Sequence, residues 1–495
     1  MSLSPRQIGL ILGLAIPVLM LLTGPPADLT PIAWVTAALL VTMASWWATE
    51  AIPIPATSLL PLFVLPTAAA IIGHTDGGTD AAILAQLTPK VIGASYADHI
   101  VLLLLGGFIV ALGVERWNLH KRVALNIVDR VGTSPGALVF GFMLATALIS
   151  MWISNTATSL MMVPIALSAA SALRDTSGKF TTAVLLGVCY AASIGGVATP
   201  IGTPTNLIAL KWLQEQTGTS IGFWQWMTFG IPAAALLVPA AWWSVTRGLN
   251  RASGGQAMAA SVHQDLLDLG PMTVPERRIA MVFAVIAALW VFRLPIAEAL
   301  SAAGYPRLMD YGGQADMMIA IFGAVLVFLV PAGGGERRAL MTWEEAVKLP
   351  WGVLILFGGG IALGNAMKTT GLSDWVGHRL EVLSIFPPLM IVAITVALVI
   401  FLTEVTSNVA TMTTLAPIIG SLAVAVGAAP EALFAPVAVA ASCAFMLPVA
   451  TAPNAVIYAT GHVTISDMIR RGFRLNLFGV VIITAVGYWI APLVL

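Results

Sequence analysis

Thirteen apolar runs, some clean and some broken by polar residues, constrain this chain more than any other feature of its sequence. Nine of them, 7–24, 32–48, 54–73, 98–114, 222–246, 279–295, 312–331, 351–367 and 473–495, have the length a helix needs to cross a bilayer. Two more, 182–210 and 431–461, are interrupted by Pro and Gly. The last two, 136–172 and 386–428, approach twice a helix's length and carry a polar cluster at the centre. That pattern suits a re-entrant hairpin, because irregular backbone at membrane depth survives only where protein buries it or it lines a cavity. Counting each interrupted run once, the reading is an all-α integral membrane protein with eleven crossings and two re-entrant hairpins.

Composition agrees. Hydrophobic residues make up 58% of the chain and charged ones 9%, against about 25% charged in a soluble domain. Basic and acidic residues cancel at 23 each, which offers nucleic acid no basic surface and leaves the lipid bilayer as the main surroundings. Cys189 and Cys443 lie in apolar runs without metal-ligand spacing, so they read as packing residues and no transition-metal site is expected. The run from Ile8 to Leu22 reads as the first membrane helix, because TGPPADLTP follows it where a secretory signal would carry a small-residue cleavage pattern.

The distribution of Lys and Arg tests this topology, since basic residues gather in cytoplasmic loops. With the N-terminus inside, seventeen basic residues fall on inside segments, Arg174 and Arg251 among them, and six outside: Lys90, Lys211, Arg293, Arg307, Lys368 and Arg379. The C-terminus is then outside. The charged, Gly- and Ser-rich stretch 247–278 reads as a cytoplasmic linker. On this division 1–97 and 279–350 are scaffold helices, and 98–246 and 351–495 are two repeats.

The repeats share their wording. LLLLGGFIVALG at 102–113 returns as LILFGGGIALG at 354–364, ATALISMWISNTATS at 145–159 as FLTEVTSNVATMTT at 401–414, and TPIGTPTN at 199–206 as LPVATAPN at 447–454. The first hairpin lies between inside segments and the second between outside ones, so the halves are expected to be inverted. In inverted-repeat transporters, broken helices bring unwound backbone to the midplane, where substrate and coupling ions bind. This points to Ser154, Asn155, Thr156, Thr203, Asn206 and their counterparts in the second half.

Hydroxyl, amide and carbonyl oxygens are hard neutral ligands that suit Na+. One site would draw on Ser150, Ser154, Asn155 and the Gly202 carbonyl, the other on Thr403, Thr406, Ser407, Asn408 and the Ala450 carbonyl. No Lys or Arg occurs in 134–172, 182–210, 386–428 or 431–461. An anion there must be held by Asn and Thr donors, helix N-termini and the bound cations themselves. Glu404 is the one carboxylate beside a proposed site, with a structural role and a proton-coupling role both open.

These residues resemble the divalent anion:sodium symporter family over nearly the whole chain. WWATEAIPIPATSLLP at 46–61, SNTATS at 154–159 and SCAFMLPVATAPNAVI at 442–457 are the segments that carry the resemblance. It implies a homodimer working as an elevator, Na+ as coupling ion at the two sites above, and a dicarboxylate held by Asn155, Thr156, Thr203, Ser407, Asn408 and Thr451. Two positions depart from the family pattern: Val409 stands where a Thr is usual, and Ala452 where a Pro is usual. The expected substrates are succinate, fumarate and malate. The alternatives are a proton-coupled carrier, an exchanger, or a tricarboxylate or sulfate carrier on the same fold. An enzyme is the distant rival, through GTSPG at 132–136 with His120 upstream, and no catalytic activity is expected.

Overall fold

The computed structural model describes residues 4–75, 81–172, 178–218, 221–249, 255–309, 311–312 and 314–495, so Arg174 and Arg251 of the charge count lie outside the described residues. It is helical almost throughout. Helices start where the sequence supplies a cap: Ser4 and Gln7 form a capping box before Pro5–Thr23, and the Thr30 hydroxyl accepts from the Ala33 amide before Pro31–Thr49. Both helices carry Pro in their first turn, where its missing N–H costs nothing. Leu14, Val18, Leu19 and Leu22 of the first helix remain exposed, as side chains that face lipid do.

Nine helices among the described residues are long and apolar enough to cross a membrane. The number rises to eleven if the bent pairs Val274–Val291 with Arg293–Ala302 and Leu372–Ile385 with Pro388–Thr403 each count as one. That tally includes Asn408–Ala425, one arm of a hairpin, while Gln314–Leu329 falls short of the length required. Length and hydropathy alone therefore do not separate a span from a hairpin arm.

The repeated glycine pairs are contact points between helices. In His99–Arg116, a side-chain carbon on Gly106 would come within 2.6 Å of the Ala320 backbone in Gln314–Leu329. In Trp351–Thr369, one on Gly359 would come within 2.3 Å of the Ser58 carbonyl oxygen. Small residues let such helices approach backbone to backbone, where packing rather than hydrophobic burial drives association in lipid.

Two elements depart from the sequence reading. Pro331–Gly333 and Glu336–Ala339 pair as a short antiparallel hairpin, so the chain is not wholly α. The 247–278 stretch is more than a linker: Gly255–Asp268 is a helix beside Leu119–Val131, with a His263 ring nitrogen 3.1 Å from the Asp129 carboxylate.

Beyond the β-hairpin, Glu345 joins two arginines. Arg116 donates to it at 2.8 Å, and Arg338 donates as well. Burial pushes the Glu345 carboxyl up, but the hydrogen bonds from Arg338 and Arg116 outweigh it and lower it from 4.5 to about 2. A carboxylate held low contributes stability that is full above its unfolded value and lost as pH falls toward its folded one. The gap in melting temperature between wild type and Glu345→Gln should therefore be flat from about pH 8 to 5 and shrink from about pH 4 downward.

Candidate functional site

Both long runs fold as hairpins. The first has arms Pro135–Ser150 and Asn155–Ala172, the second Pro388–Thr403 and Asn408–Ala425. Both Pro- and Gly-interrupted runs fold as broken helices, Lys179–Gly196 with Pro204–Thr217 and Glu431–Ala441 with Ala452–Ala459. In each half the hairpin tip meets the break through the same bonds. Ser150 Oγ donates to Asn155 Oδ1 at 2.8 Å and to the Ala192 carbonyl at 2.7 Å. Thr403 Oγ1 donates to Asn408 Oδ1 at 2.8 Å and to the Ala441 carbonyl at 2.9 Å.

The breaks are matched as well. Asn206 Nδ2 donates to the Gly196 and Thr199 carbonyls at 3.0 and 2.7 Å, and Asn454 Nδ2 to the Ala444 and Leu447 carbonyls at 3.0 and 2.8 Å. Each asparagine replaces hydrogen bonds that the unwound backbone cannot make along its own helix. Asn206 and Asn454 are fully buried and neither lines the cleft described below. Asn206 thus braces the break through its amide nitrogen, while its buried Oδ1 has no hydrogen-bond partner among the described residues.

Oxygens converge on the first break. A side-chain carbon on Gly196 would lie 2.5 Å from Asn155 Oδ1 and 3.1 Å from the Gly202 carbonyl oxygen. One on Gly202 would lie 2.5 Å from the Gly196 carbonyl oxygen and 2.9 Å from that of Met151. The small volume between these glycines is thus walled by neutral oxygens, a donor set that suits a small hard cation such as Na+. Across the molecule, Thr406 Oγ1 donates to the Leu402 carbonyl at 2.9 Å and shares a 2.5 Å hydrogen bond with Thr411 Oγ1.

Tips and breaks open onto one cleft of about 1090 Å³. Ser154, Asn155, Thr156, Gly202 and Thr203 line it from the first half, and Thr406, Ser407, Asn408, Ala450 and Thr451 from the second. Ser150 and Thr403 stand behind them, fully buried, holding the two asparagines. With Oδ1 held this way, each asparagine has its amide nitrogen left to donate. Four helices, starting at Asn155, Pro204, Asn408 and Ala452, begin at the cleft, so their partial positive charge falls where an anion would sit. Among the described residues, Arg6 is the only basic side chain in the lining and Glu50 the only acidic one.

Some site residues escaped the sequence reading. Thr199 donates to the Met151 carbonyl and so ties the first break to its hairpin tip. Thr411 lies three residues past Asn408 on the same helical face as the tip, a spacing that could have exposed it. Ala48, Thr49 and Glu50 line the cleft from within the signature-like segment at 46–61, and Glu50 has a left-handed backbone (φ 47°). The GTSPG segment, by contrast, joins Leu119–Val131 to Pro135–Ser150 as a helix-to-helix turn in which Ser134 Oγ accepts from the Ala137 amide. A nucleophile elbow needs a strand before it.

The family model described as the sodium:sulfate symporter transmembrane region matches residues 5–495. The chain belongs to the divalent anion:sodium symporter family. A relative within this family, the sodium-dependent dicarboxylate transporter SdcS of Staphylococcus saprophyticus, is 40% identical over 99% of this chain and 92% of its own length. SdcS of Staphylococcus aureus strain MRSA252 matches with the same identity and coverage. Among solved structures, MtrF of Neisseria gonorrhoeae superposes with a TM-score of 0.60 at 16% identity, covering 91% of this chain and 97% of MtrF. YdaH of Alcanivorax borkumensis gives 0.62 at 16% identity, covering 87% and 97%. The family's overall fold is therefore that of multi-helix membrane transporters.

Proposed function

We propose that this chain carries C4-dicarboxylates such as succinate, fumarate and malate across the cytoplasmic membrane by sodium-coupled symport. One observation carries the reading: two hairpin tips and two helix breaks, each with the same Ser/Thr–Asn–carbonyl bonds, converge on a single cleft. Na+ enters as cargo at two neutral oxygen sets, Ser150, Ser154, Asn155 and Gly202 in one, Thr403, Thr406, Ser407, Asn408 and Ala450 in the other. The dicarboxylate lies between them, on Asn155, Thr156, Thr203, Ser407, Asn408 and Thr451. With no Lys or Arg on these segments, the bound cations supply the counter-charge, and substrate affinity depends on Na+.

The wider reading follows from the repeat. The halves are inverted across the bilayer, the N-terminus is cytoplasmic and the C-terminus outside, and eleven crossings flank the two hairpins. Hairpins and broken helices form a transport unit that moves as an elevator against scaffold helices within 1–97 and 279–350, in a homodimer. Counterflow in proteoliposomes tests the substrate class. Unlabelled fumarate and malate should compete with labelled succinate at similar concentrations, whereas stronger competition by citrate or sulfate would reassign the substrate.

Val409 bears on the same point. It lines the cleft beside Asn408 and puts a methyl where a hydroxyl could donate. Because one hydrogen bond contributes about 0.5–1.5 kcal/mol net, Val409→Thr should change the succinate half-saturation by about two- to tenfold. Its Na+ half-saturation should stay within about twofold, since Val409 belongs to neither oxygen set; an equal shift in both would count against the separation of the sites.

A further inference from the structure

The two breaks end their first helices differently. Aligned through Asn206 and Asn454, Lys179–Gly196 reaches a position equivalent to 444, whereas Glu431–Ala441 stops three residues short of it. In the first break, the Val197 and Ala198 amides still donate to the Ile194 and Gly195 carbonyls. In the second, the amides of Phe445, Met446 and Leu447 turn to the Glu404 carboxylate: Phe445 at 2.7 Å, Met446 at 3.1 and 2.9 Å, and Leu447 at 3.3 Å. Asn476 Nδ2, on Ile465–Trp489, adds a contact at 2.7 Å. Glu404 is 3% exposed, and each of these partners is an N–H donor, which the acceptor-only carboxylate satisfies together.

The equivalent residue of the first hairpin is Met151, which has no acidic group and is tied to its break by Thr199 instead. The two breaks share one close packing contact. A side-chain carbon on Gly230 would meet the Val197 carbonyl oxygen at 2.6 Å, and one on Gly472 the Phe445 carbonyl oxygen at 2.3 Å. The carboxylate is an element that the second half has and the first lacks. It joins Thr403 and Thr406 of the tip, its chain neighbours, to the unwound stretch that ends at the Ala450 carbonyl.

We propose that Glu404 is the positioning residue of the second sodium site: its carboxylate fixes hairpin tip to helix break and so sets the geometry of that site. It touches neither ion nor substrate. Its bonds to the break hold the Ala450 carbonyl in line with Asn408 and Thr403. This inference rests on the sodium-coupled reading above.

Uptake of labelled succinate into proteoliposomes as a function of Na+ tests it, using wild type, Glu404→Gln and Asn476→Ala, with thermal melting of each protein in detergent. Glu404→Gln keeps the shape but loses the charge and presents an NH2 group to amide donors. Its Na+ half-saturation should rise at least tenfold while the succinate half-saturation at saturating Na+ stays within about threefold. Asn476→Ala keeps the carboxylate and removes one donor outside the cleft lining, so it should raise the Na+ half-saturation by about two- to fivefold and serves as the reporter if Glu404→Gln does not fold. Unchanged Na+ dependence in both variants, or in Asn476→Ala alone if the first does not fold, would overturn the proposal. Wild-type uptake that ignores Na+ would instead refute the underlying symport reading.

Discussion

Asn155→Ala combined with Asn408→Ala should reduce sodium-driven uptake to the level of empty liposomes, with little loss of folded protein. On the proposed reading each asparagine, lining the cleft, offers Oδ1 to an oxygen set and its amide to the anion, so the double variant would weaken both cation sites and remove anion donors together. An unsatisfied buried polar partner costs about 1–3 kcal/mol, more beside a charge, and about 1.4 kcal/mol is tenfold in affinity. Roughly ten- to a hundredfold per site, acting at both, places uptake below detection at ordinary Na+ concentrations. Folding should survive because Ser150 and Thr403 keep their second acceptors, the carbonyls of Ala192 and Ala441. Each single variant should retain some uptake with a raised Na+ half-saturation; single variants that behave like wild type would remove these residues from the sites.

Gly196→Ala should be nearly as damaging, and for a steric reason. The new methyl would lie 2.5 Å from Asn155 Oδ1 and 3.1 Å from the Gly202 carbonyl oxygen, inside the volume that the cation would occupy. Relieving such overpacking costs about 1–3 kcal/mol, so Na+ affinity at the first site should fall roughly tenfold or more. The second half already carries Ala444 at the equivalent position, and its first helix stops at Ala441 rather than continuing to that point. The second site should therefore be untouched, and the Na+ dependence of uptake should become less steep. A Gly196→Ala protein with wild-type Na+ dependence would show that no ion occupies that space.

Much of the site was legible because its chemistry is polar in an apolar setting. Ser154-Asn155-Thr156 and Ser407-Asn408 stand out within runs that otherwise want lipid, and Pro204 and Pro453 mark where helices must restart. The roles within the site were harder to read. Asn206 carries the same side chain as Asn155 and lies in an equally marked motif, but that its amide nitrogen braces the break follows only from which carbonyls are left unpaired in three dimensions. Glu404 is plain in the sequence, but only the early end of Glu431–Ala441 shows why three amides need it. The β-hairpin at 331–339 was missed because it rests on Gly333, Gly334 and Gly335, all with positive φ, and not on any alternating strand pattern. Gly255–Asp268 was hidden by Gly- and Ser-rich sequence at its start and takes shape against a neighbouring helix distant in sequence.

The most direct test of the account is labelled succinate uptake into proteoliposomes under an inward Na+ gradient, compared with K+ in place of Na+ at the same ionic strength. Sodium-coupled symport predicts accumulation with Na+ and none with K+, and collapse of the accumulated label when the Na+ gradient is dissipated. Uptake that proceeds equally in K+, or only when unlabelled succinate is loaded inside, would contradict symport and make the protein a proton-coupled carrier or an exchanger.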